Sequence, residues 1–119
     1  MAQHNDLGKL GEDLATDFLI KNGYKILERN WRYQKAEIDI IAQKGNTLAI
    51  VEVKTRSSVE MGEPETFVSK KKIDLLVAAT NAYITEKDLD VNVRFDIIAI
   101  HKSESKHEIR HTKEAFLFF

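Results

Sequence analysis

A short turn at residues 44–47 constrains the fold of this chain more than any other feature of its sequence. Lys44-Gly45-Asn46-Thr47 has the form of a two-residue hairpin loop, with glycine at the first central position, as a type II′ turn requires. The flanking segments, residues 37–42 and 48–54, are rich in the β-branched and aliphatic residues that favour strands. If Lys44 faces Thr47, each directly opposed pair across the hairpin has residue numbers that sum to 91.

This register places two carboxylates face to face. Asp39 falls directly opposite Glu52. Glu37 likewise falls opposite Lys54, and all four side chains share one face because side chains alternate along a strand. Directly opposed residues have Cβ atoms roughly 4.5–5.5 Å apart, where like charges are destabilising. A divalent cation between Asp39 and Glu52 would turn this repulsion into coordination, so the sequence predicts a metal-dependent active site. Two simpler interpretations remain open: a tolerated like-charge pair on an exposed hairpin, and a salt bridge from Lys54 to Glu37.

Glu12 is the acidic residue of a predicted first helix that could reach the same site. On a helical wheel, small residues lie between Glu12 and the apolar stripe, and they would let the helix approach the sheet closely on that side. A carboxylate there could reach a metal held by Asp39 and Glu52, and a solvated glutamate is the alternative. The stripe consists of Leu7, Leu10, Leu14 and Phe18, and the small residues are Gly8, Gly11 and Ala15.

Composition limits the chemistry that is available. The chain has no cysteines, which excludes disulfides, thiolate zinc sites and cysteine nucleophiles. Its 119 residues predict one domain over residues 1–119 with its own core. The first residues lack the basic and apolar regions of a signal peptide, and no apolar run approaches membrane-spanning length. We therefore expect a soluble, cytoplasmic protein with no membrane partner.

Charge is unevenly distributed along the chain, although the net charge is only −1. Residues 21–72 contain 11 Lys or Arg against 7 Asp or Glu, whereas the remaining residues contain 7 against 12. One part of the protein could therefore present a basic surface to nucleic acid. Chance gives such an asymmetry often, so it permits a nucleic-acid partner without requiring one.

The order of elements is predicted to be one helix, three strands, a second helix, and one or two further strands. The first helix should begin near Asn5 or Asp6 as N-cap and end at Asn22-Gly23. A strand over residues 24–33 follows, with a bulge at Ile26-Leu27, and then the hairpin. Residues 55–65 are typical of a polar loop.

The second half of the chain completes the sheet. A second helix should begin after Ser69. Residues 91–100 form a long apolar strand expected near the centre of the sheet, residues 107–112 an edge strand, and residues 116–119 should pack back on the core. The apolar stripe of the second helix consists of Ile73, Leu76, Val77, Thr80 and Ile84.

Three lysines, Lys70-Lys71-Lys72, occupy the first turn of this second helix. Cations there oppose the helix macrodipole and cost roughly 0.3–1 kcal/mol each at low salt. A helix N-terminus that carries lysines is, however, a favourable site for phosphate. A solvated run of charges is the alternative.

Several other residues have a structural and a functional interpretation. Trp31 and Tyr33 could stack on bases, although packing in the core is the interpretation we favour. Asp96, beside Arg94 in an apolar strand, is predicted to be a structural hydrogen-bond acceptor at the end of the sheet. The four histidines show no metal-ligand spacing and are assigned no role.

Two resemblances follow from these motifs. Asp39 and Glu52-Val53-Lys54, preceded by Glu12 on a helix, resemble the catalytic pattern of the PD-(D/E)xK restriction-endonuclease-like nucleases, most closely their Holliday-junction-resolvase-like branch. Nearly the whole chain also resembles the bacterial UPF0102 (YraN-like) family, with one departure at Ala36, where that family has glycine. The matching segments are Gly8-x-x-Gly11-Glu12, Gly23-Tyr24, Asn30-Trp31-Arg32, Glu37-Ile38-Asp39-Ile40-Ile41, Val51-Glu52-Val53-Lys54-Thr55-Arg56 and Arg94-Phe95-Asp96.

The resemblance implies a fold, an activity and a set of ligands. The fold would be a three-layer α/β/α domain with a central mixed sheet of the restriction-endonuclease-like type. The activity would be that of an endonuclease that hydrolyses phosphodiester bonds in nucleic acid, above all in structured or branched DNA, with Mg²⁺ or Mn²⁺ as cofactor. Asp39, Glu52 and Glu12 would hold the metal through hard oxygen ligands. Lys54 matches the lysine that orients or helps deprotonate the attacking water.

Other residues are assigned to the substrate or to the surroundings of the metal. Lys72 matches the basic position of the family, and Lys70 and Arg56 are expected with it as contacts to nucleic acid. Glu37 is expected to contact the metal ligands rather than to bind the metal itself. Resolvase-like relatives act as dimers on two-fold symmetric junctions, so a homodimer is also an expectation.

Two other functions remain open at this point. The chain could be a nucleic-acid-binding module of a DNA-processing complex, with weak or no nuclease activity of its own. It could also be a protein-interaction scaffold, which would leave the carboxylates without a role. Metal binding separates the scaffold from the other two, and a cleavage assay separates those two from each other.

Overall fold

Two helices and five strands make up the part of the chain that the computed structural model describes, residues 2–56, 68–103 and 105–116, with side chains from residue 7 onward. The predicted order of elements is confirmed. Within these residues, neither helix is long and apolar enough to cross a membrane. Most of the predicted loop over residues 55–65 lies outside the described residues. The elements are α1 (Ala2–Lys21), β1 (Lys25–Tyr33), β2 (Ala36–Lys44), β3 (Thr47–Arg56), α2 (Lys70–Lys87), β4 (Asn92–Lys102) and β5 (His107–Thr112).

The five strands form one mixed sheet in the order β1-β2-β3-β4-β5. Neighbouring strands are antiparallel except β3 and β4, which are parallel and are connected through α2. The central strand is β3. As predicted, β4 lies inside the sheet and β5 forms an edge.

The two helices cover opposite faces of this sheet. Helix α1 packs through Ala15 and Leu19, and helix α2 packs through Leu76, Ala79 and Tyr83. Because side chains alternate along a strand, the inner strands contribute residues to both cores. The predicted three-layer α/β/α architecture is confirmed. The core beneath α1 includes Ile40, Ala42, Ala49, Val51, Ile98 and Ile100, and the core beneath α2 includes Ile38, Ile41, Leu48, Ile50 and Phe95.

The hairpin has the predicted turn and, near the turn, the predicted register. All five pairs between β2 and β3 have residue numbers that sum to 91, beginning with Lys44 and Thr47 and ending with Ile40 and Val51. Gly45 has a φ of 60°, which the first central residue of a type II′ turn requires. Glycine adopts this conformation without the strain that a Cβ would add.

Beyond Ile40 the hairpin departs from the prediction. The ladder between β2 and β3 ends there, so the predicted direct opposition of Asp39 and Glu52 is wrong. The reason is that β2 changes face at this point: Ile38 packs beneath α2, whereas Ile40 packs beneath α1. The Val53 N–H then donates to the Asp39 carboxylate (2.8 Å) rather than to the backbone of β2.

Helix α1 begins earlier than predicted and ends where predicted. It starts at Ala2 rather than after Asn5 or Asp6, because no residue upstream of these caps breaks a helix. At its other end, Gly23 has a φ of 91° and its N–H donates to the Ile20 carbonyl (3.0 Å).

The other elements follow the sequence pattern with small shifts. Strand β1 contains the predicted bulge, because its pairing with β2 shifts between Ile26 and Glu28. Ser69 caps α2 as predicted, and its Oγ accepts from the Lys72 N–H (3.1 Å). The buried face of α2 is rotated from the predicted stripe, and consists of Leu76, Ala79, Thr80 and Tyr83.

Aromatic residues close the core beneath α2. Trp31 and Tyr33 pack against it, and the Trp31 ring meets the Tyr83 ring edge-on with centroids 5.1 Å apart. The core packing that we favoured for these two residues is confirmed. Phe116 stacks on Phe95 with centroids 5.3 Å apart, while residues 117–119 lie outside the described part of the chain.

Candidate active site

Asp39 stands where β2 separates from β3, and it is surrounded by charge. The residue is half-buried, and one of its carboxylate oxygens accepts from the Val53 N–H. Its pKa is raised from 3.8 to about 7, first by burial and then by the negative charges of Glu52 and, more weakly, Glu12. The Val53 N–H and the Lys72 charge act against this rise. Although Asp39 and Glu52 are not ladder partners, Asp39 therefore lies close enough to both Glu52 and Glu12 to be repelled by their charges.

Glu52 is held by the N-terminus of α2. Its carboxylate is buried, and one oxygen forms an ion pair with the Lys72 ammonium. Because Ser69 caps the helix at the Lys72 N–H, the first turn of α2 is fixed against β3 at this point. Lys72 is thus the predicted basic residue that the structure brings directly to the acidic group.

Glu12 reaches the site from α1 because that helix lies very close to β3. A Cβ on Gly11 would stand 1.9 Å from the Thr55 Oγ1, so only glycine permits this approach. Ala15 is fully buried and serves the same purpose. A Cβ on Gly8 would meet no described atom within 4 Å, so the close approach depends on Gly11 rather than on Gly8.

Two clefts meet at Asp39. The acidic cleft has a volume of about 350 Å³ and carries Glu12, Asp39 and Glu52. The basic cleft has a volume of about 320 Å³ and carries Lys35, Lys71 and Lys72 beside Asp39. Leu7, Gly8, Val53 and Thr55 complete the lining of the acidic cleft, and Ala36, Glu37, Ser69, Leu75 and Leu76 that of the basic cleft.

The other predicted site residues lie around these clefts. Lys54 follows Glu52 by two residues on β3, is half-exposed and forms no ion pair within the described residues. Glu37 pairs with Arg32 on β1 (3.7 Å), so the alternative salt bridge from Glu37 to Lys54 is not formed. Arg56 is exposed at the end of β3 and donates to the Thr55 carbonyl (3.4 Å), and Lys70 pairs with Asp74 (3.2 Å).

Two residues that line the basic cleft, Lys35 and Lys71, were not predicted as site residues from the sequence. Lys35 lies in the turn between β1 and β2, and Lys71 is the middle lysine of the run at the start of α2. The sequence shows the run of three lysines, but only the packing of α2 on the sheet determines which of them line the cleft beside Asp39. No local sequence pattern at Lys35 indicates that its side chain lines a cleft.

The acidic residues can be tested against the predicted cofactor. Within the described residues there is no group of three or more His, Cys, Asp or Glu side chains arranged to hold a metal ion. Mg²⁺ is commonly bound through one or two carboxylates, with waters and substrate phosphates completing the coordination. Asp39 and Glu52 fit this mode of binding, whereas a structural zinc site would need four protein ligands.

A second acidic residue, Asp96, has the opposite environment. It is fully buried, and Arg94 donates to both of its oxygens (2.9 Å each), while His111 Nε2 lies 2.8 Å away. Burial acts to raise the pKa of Asp96, but the contacts with His111 and Arg94 outweigh it and the pKa is lowered. The Arg94 guanidinium also donates to the Tyr24 hydroxyl (2.6 Å). Asp96 is the structural acceptor that was predicted, and His111, which was assigned no role, is part of its support.

Comparisons with known proteins agree with the sequence motifs. The model of Uncharacterised protein family UPF0102 matches residues 11–100. UPF0102 protein FP2501 of Flavobacterium psychrophilum is 60% identical over 119 residues, covering 100% of both chains. A UPF0102 protein of Phocaeicola vulgatus is 45% identical over 116 residues, covering 98% of this chain and 96% of that one.

A solved structure was also found, the 1.6 Å structure of Archaeoglobus fulgidus Hjc, a Holliday junction resolvase from an archaeal hyperthermophile. It has a TM-score of 0.49 and 20% identity, and the match covers 87% of this chain and 72% of that one. The family assignment rests on the sequence comparisons, which span nearly the whole chain. This chain is a member of the UPF0102 family.

Proposed function

We propose that this protein is a Mg²⁺- or Mn²⁺-dependent endonuclease that hydrolyses phosphodiester bonds in nucleic acid, with structured or branched DNA as its preferred substrate. The observation that carries the proposal is the position of Asp39, which lines both the acidic and the basic cleft. Metal-dependent phosphodiester hydrolysis needs a place for a cation beside the reacting phosphate and positive charge that holds the phosphate in position. The two clefts supply these two requirements on either side of one carboxylate.

The acidic cleft would hold the cation. Asp39 and Glu52 supply the direct oxygen ligands, and Glu12 binds through water. Hard carboxylate oxygens suit Mg²⁺ and Mn²⁺. When bound, such an ion supplies Lewis-acid chemistry, stabilising the negative charge that develops on the phosphoryl group. It would also relieve the repulsion by Glu52 and Glu12 that adds to the effect of burial in raising the pKa of Asp39.

Lys72 links the cation to the nucleic acid. Its ammonium already neutralises Glu52. A divalent cation on Glu52 would compete for the same carboxylate and release the ammonium toward the phosphates in the basic cleft. Binding of the cation and of nucleic acid should therefore be cooperative, with Lys72 as the connection between them.

Lys54 is the residue we assign to the attacking water. It shares a face of β3 with Glu52, because the two residues are two positions apart. An ammonium that forms no ion pair within the described residues can donate to a water and offset the charge of the transition state. The basic cleft would meanwhile hold the adjoining phosphates through Lys35, Lys71 and Lys72.

A cleavage screen tests the proposal. The substrates are linear duplex, single-stranded, flapped and four-way-junction DNA, together with RNA, each with Mg²⁺, with Mn²⁺ and with chelator. We expect metal-dependent cleavage that is fastest on branched DNA and is abolished by Asp39→Asn. Asp74→Asn is the matched control, because Asp74 is an exposed aspartate of α2 that pairs with Lys70 outside both clefts.

The outcomes separate the competing functions. Metal-dependent cleavage that Asp39→Asn removes and Asp74→Asn retains supports the endonuclease. Tight DNA binding without cleavage under any condition would leave the nucleic-acid-binding module instead. A protein that binds neither metal nor nucleic acid would contradict both.

A further inference from the structure

We infer that Asn30 is a positioning residue that holds the Glu12 carboxylate toward Asp39, and this inference rests on the proposed function. Asn30 belongs to the Asn30-Trp31-Arg32 segment, for which the proposed chemistry gives no role. Trp31 packs against the core beneath α2, and Arg32 forms an ion pair with Glu37. Asn30 takes part in neither the core nor an ion pair, so it needs another explanation.

The backbone at Asn30 is unusual for the middle of a strand. Its φ is 53°, in the left-handed region that residues other than glycine seldom occupy. Asparagine tolerates this region better than most residues, but the conformation still interrupts the alternation of β1. The pairing of β1 with β2 joins Arg29 to Ile40 and Trp31 to Ile38, so the interruption lies at the level of Asp39. Strained conformations of this kind cluster at functional sites.

The side chain of Asn30 uses this conformation to reach α1. Its Nδ2 donates to the Glu12 Oε1 with a distance of 3.0 Å. The Arg29 guanidinium also approaches this oxygen, but at 3.5 Å, and it lies closer to the Asp13 carboxylate at 2.9 Å. Within the described residues, the amide of Asn30 is therefore the hydrogen-bond donor that fixes the Glu12 side chain.

A neutral amide suits this task better than a cation would. An amide donates one hydrogen bond and leaves the carboxylate its negative charge and its second oxygen. A lysine or arginine at the same place would add a second cation to the longer Arg29 ion pair (3.5 Å) and would compete with a divalent cation for Glu12. Partners that orient ligating carboxylates typically contribute about 10–100-fold to metal affinity or activity. We expect Asn30 to act on Glu12 in this way.

A substitution of Asn30 by glycine separates the effect of the side-chain amide from the effect of the backbone conformation. Asn30→Gly removes the side chain but permits the same positive φ, so the course of β1 is kept. Gln34→Gly is the matched control, because Gln34 also has a positive φ (55°) and its amide contacts the Tyr33 hydroxyl (3.4 Å) rather than the acidic cleft. Both variants are compared with wild type in metal-free melts, in melts over a Mn²⁺ titration, in DNA binding with chelator, and in cleavage.

We expect Asn30→Gly to raise the Mn²⁺ concentration of half-maximal thermal stabilisation, and to slow cleavage, each by about 10–100-fold. Metal-free melting and DNA binding in chelator should stay close to wild type, and Gln34→Gly should match wild type throughout. In a Glu12→Gln background, Asn30→Gly should have no further effect on the Mn²⁺ titration, since the carboxylate that it orients is gone. A purely structural role would instead give additive losses.

Two failures are distinguishable. If wild type responds to Mn²⁺ and cleaves DNA while Asn30→Gly does the same at equal concentration and rate, the inference is overturned and the proposed function stands. If wild type shows neither the Mn²⁺ response nor cleavage, the proposed function is overturned and the inference falls with it.

Discussion

Asp39 and Asp96 are two aspartates of one sheet, and their surroundings push their pKa values in opposite directions. Asp96 on β4 is fully buried, yet its pKa is lowered because His111 and Arg94 together outweigh the effect of burial. Asp39 on β2 is only half-buried, yet its pKa is raised to about 7 by burial and by the charges of Glu52 and Glu12. Burial alone therefore does not decide the charge of either residue.

The opposite pKa shifts distinguish an aspartate that stabilises the fold from one that is a candidate for function. Asp96 receives hydrogen bonds that satisfy its charge, so it stabilises the fold at neutral pH. Asp39 receives one backbone N–H and faces two other acidic residues, so its ionisation works against the fold. A site that costs stability and lines two clefts is a candidate for function rather than for structure.

The largest expected effect is on stability, at Asp96. Asp96→Ala removes the partner of Arg94 and leaves that guanidinium, whose side chain is 19% exposed, without its carboxylate. Breaking a buried ion pair from one side costs roughly 3–5 kcal/mol. Urea unfolding in chelator at pH 7 would measure this loss, and Asp39→Asn should show none. A cost below about 1 kcal/mol for Asp96→Ala would contradict the contrast that we draw.

The next effect is on catalysis, at Lys54. Lys54→Met removes the ammonium assigned to the attacking water and should slow cleavage by about 10²–10³-fold, within the range for groups that assist proton transfer. Because Lys54 forms no ion pair within the described residues, melting temperature, Mn²⁺ affinity and DNA binding should stay close to wild type. A loss of DNA binding in parallel with activity would make Lys54 a phosphate contact instead.

A smaller effect concerns pH, and it has opposite signs for the two aspartates. The folded-state pKa of Asp39 is about 7 against 3.8 for the free side chain, so between these values the folded state binds more protons. Metal-free stability is therefore lost as pH rises from about 4 through about 7. The advantage of Asp39→Asn over wild type should grow over this range and vanish near pH 4.

Asp96 supplies the control for this pH series. Its pKa is lowered on folding, so its contribution is present above 3.8 and is lost as pH falls through the folded-state pKa. Melts of wild type, Asp39→Asn and Asp96→Asn from pH 2 to pH 8 would show both trends. An Asp39→Asn advantage that does not change with pH would contradict the raised pKa.

The smallest effect is at Lys72, which lines the basic cleft and pairs with Glu52 of the acidic cleft. Lys72→Ala should flatten the log–log dependence of DNA affinity on salt by about one unit if the lysine holds one phosphate. It should also raise the pKa of Asp39 further, because the Lys72 charge now lowers it. Lys87→Ala, at the far end of α2, is the control and should leave the slope unchanged. If the salt dependence of DNA affinity is unchanged in Lys72→Ala, Lys72 contacts no phosphate and has only a structural role in its pair with Glu52.

Local patterns in the sequence predicted most of the fold. The turn at Gly45 and the alternation of the flanking strands determine the register as far as Ile40, because both act between neighbouring residues. The caps at Ser69 and Gly23 were predicted for the same reason. The change of face at Asp39 could not be predicted, because it depends on which helix each residue of β2 meets.

The sequence predicted which acidic residues belong to the candidate site, but not the contacts that hold them in place. Asp39, Glu52 and Glu12 were singled out by charge and spacing, and the structure brings Asp39 close enough to the other two to be repelled by both. The pairing of Lys72 with Glu52 joins a helix to a strand 20 residues away in sequence, which no local pattern can specify. The left-handed backbone conformation of Asn30 could not be predicted from the sequence either, because asparagine adopts it only where tertiary contacts favour it.

The central claim is that Asp39 belongs to a cation site rather than to the structural framework, and thermal melts of wild type and Asp39→Asn with and without Mn²⁺ test it most directly. Without metal at neutral pH, the variant should be more stable than wild type, because one buried and repelling charge is gone. Mn²⁺ should stabilise wild type by RT ln(1 + [L]/Kd), about 2.7 kcal/mol at 100 times Kd, and the variant should lose most of this gain. An Asp39→Asn protein that melts several degrees lower without metal and keeps the full Mn²⁺ shift would contradict the claim.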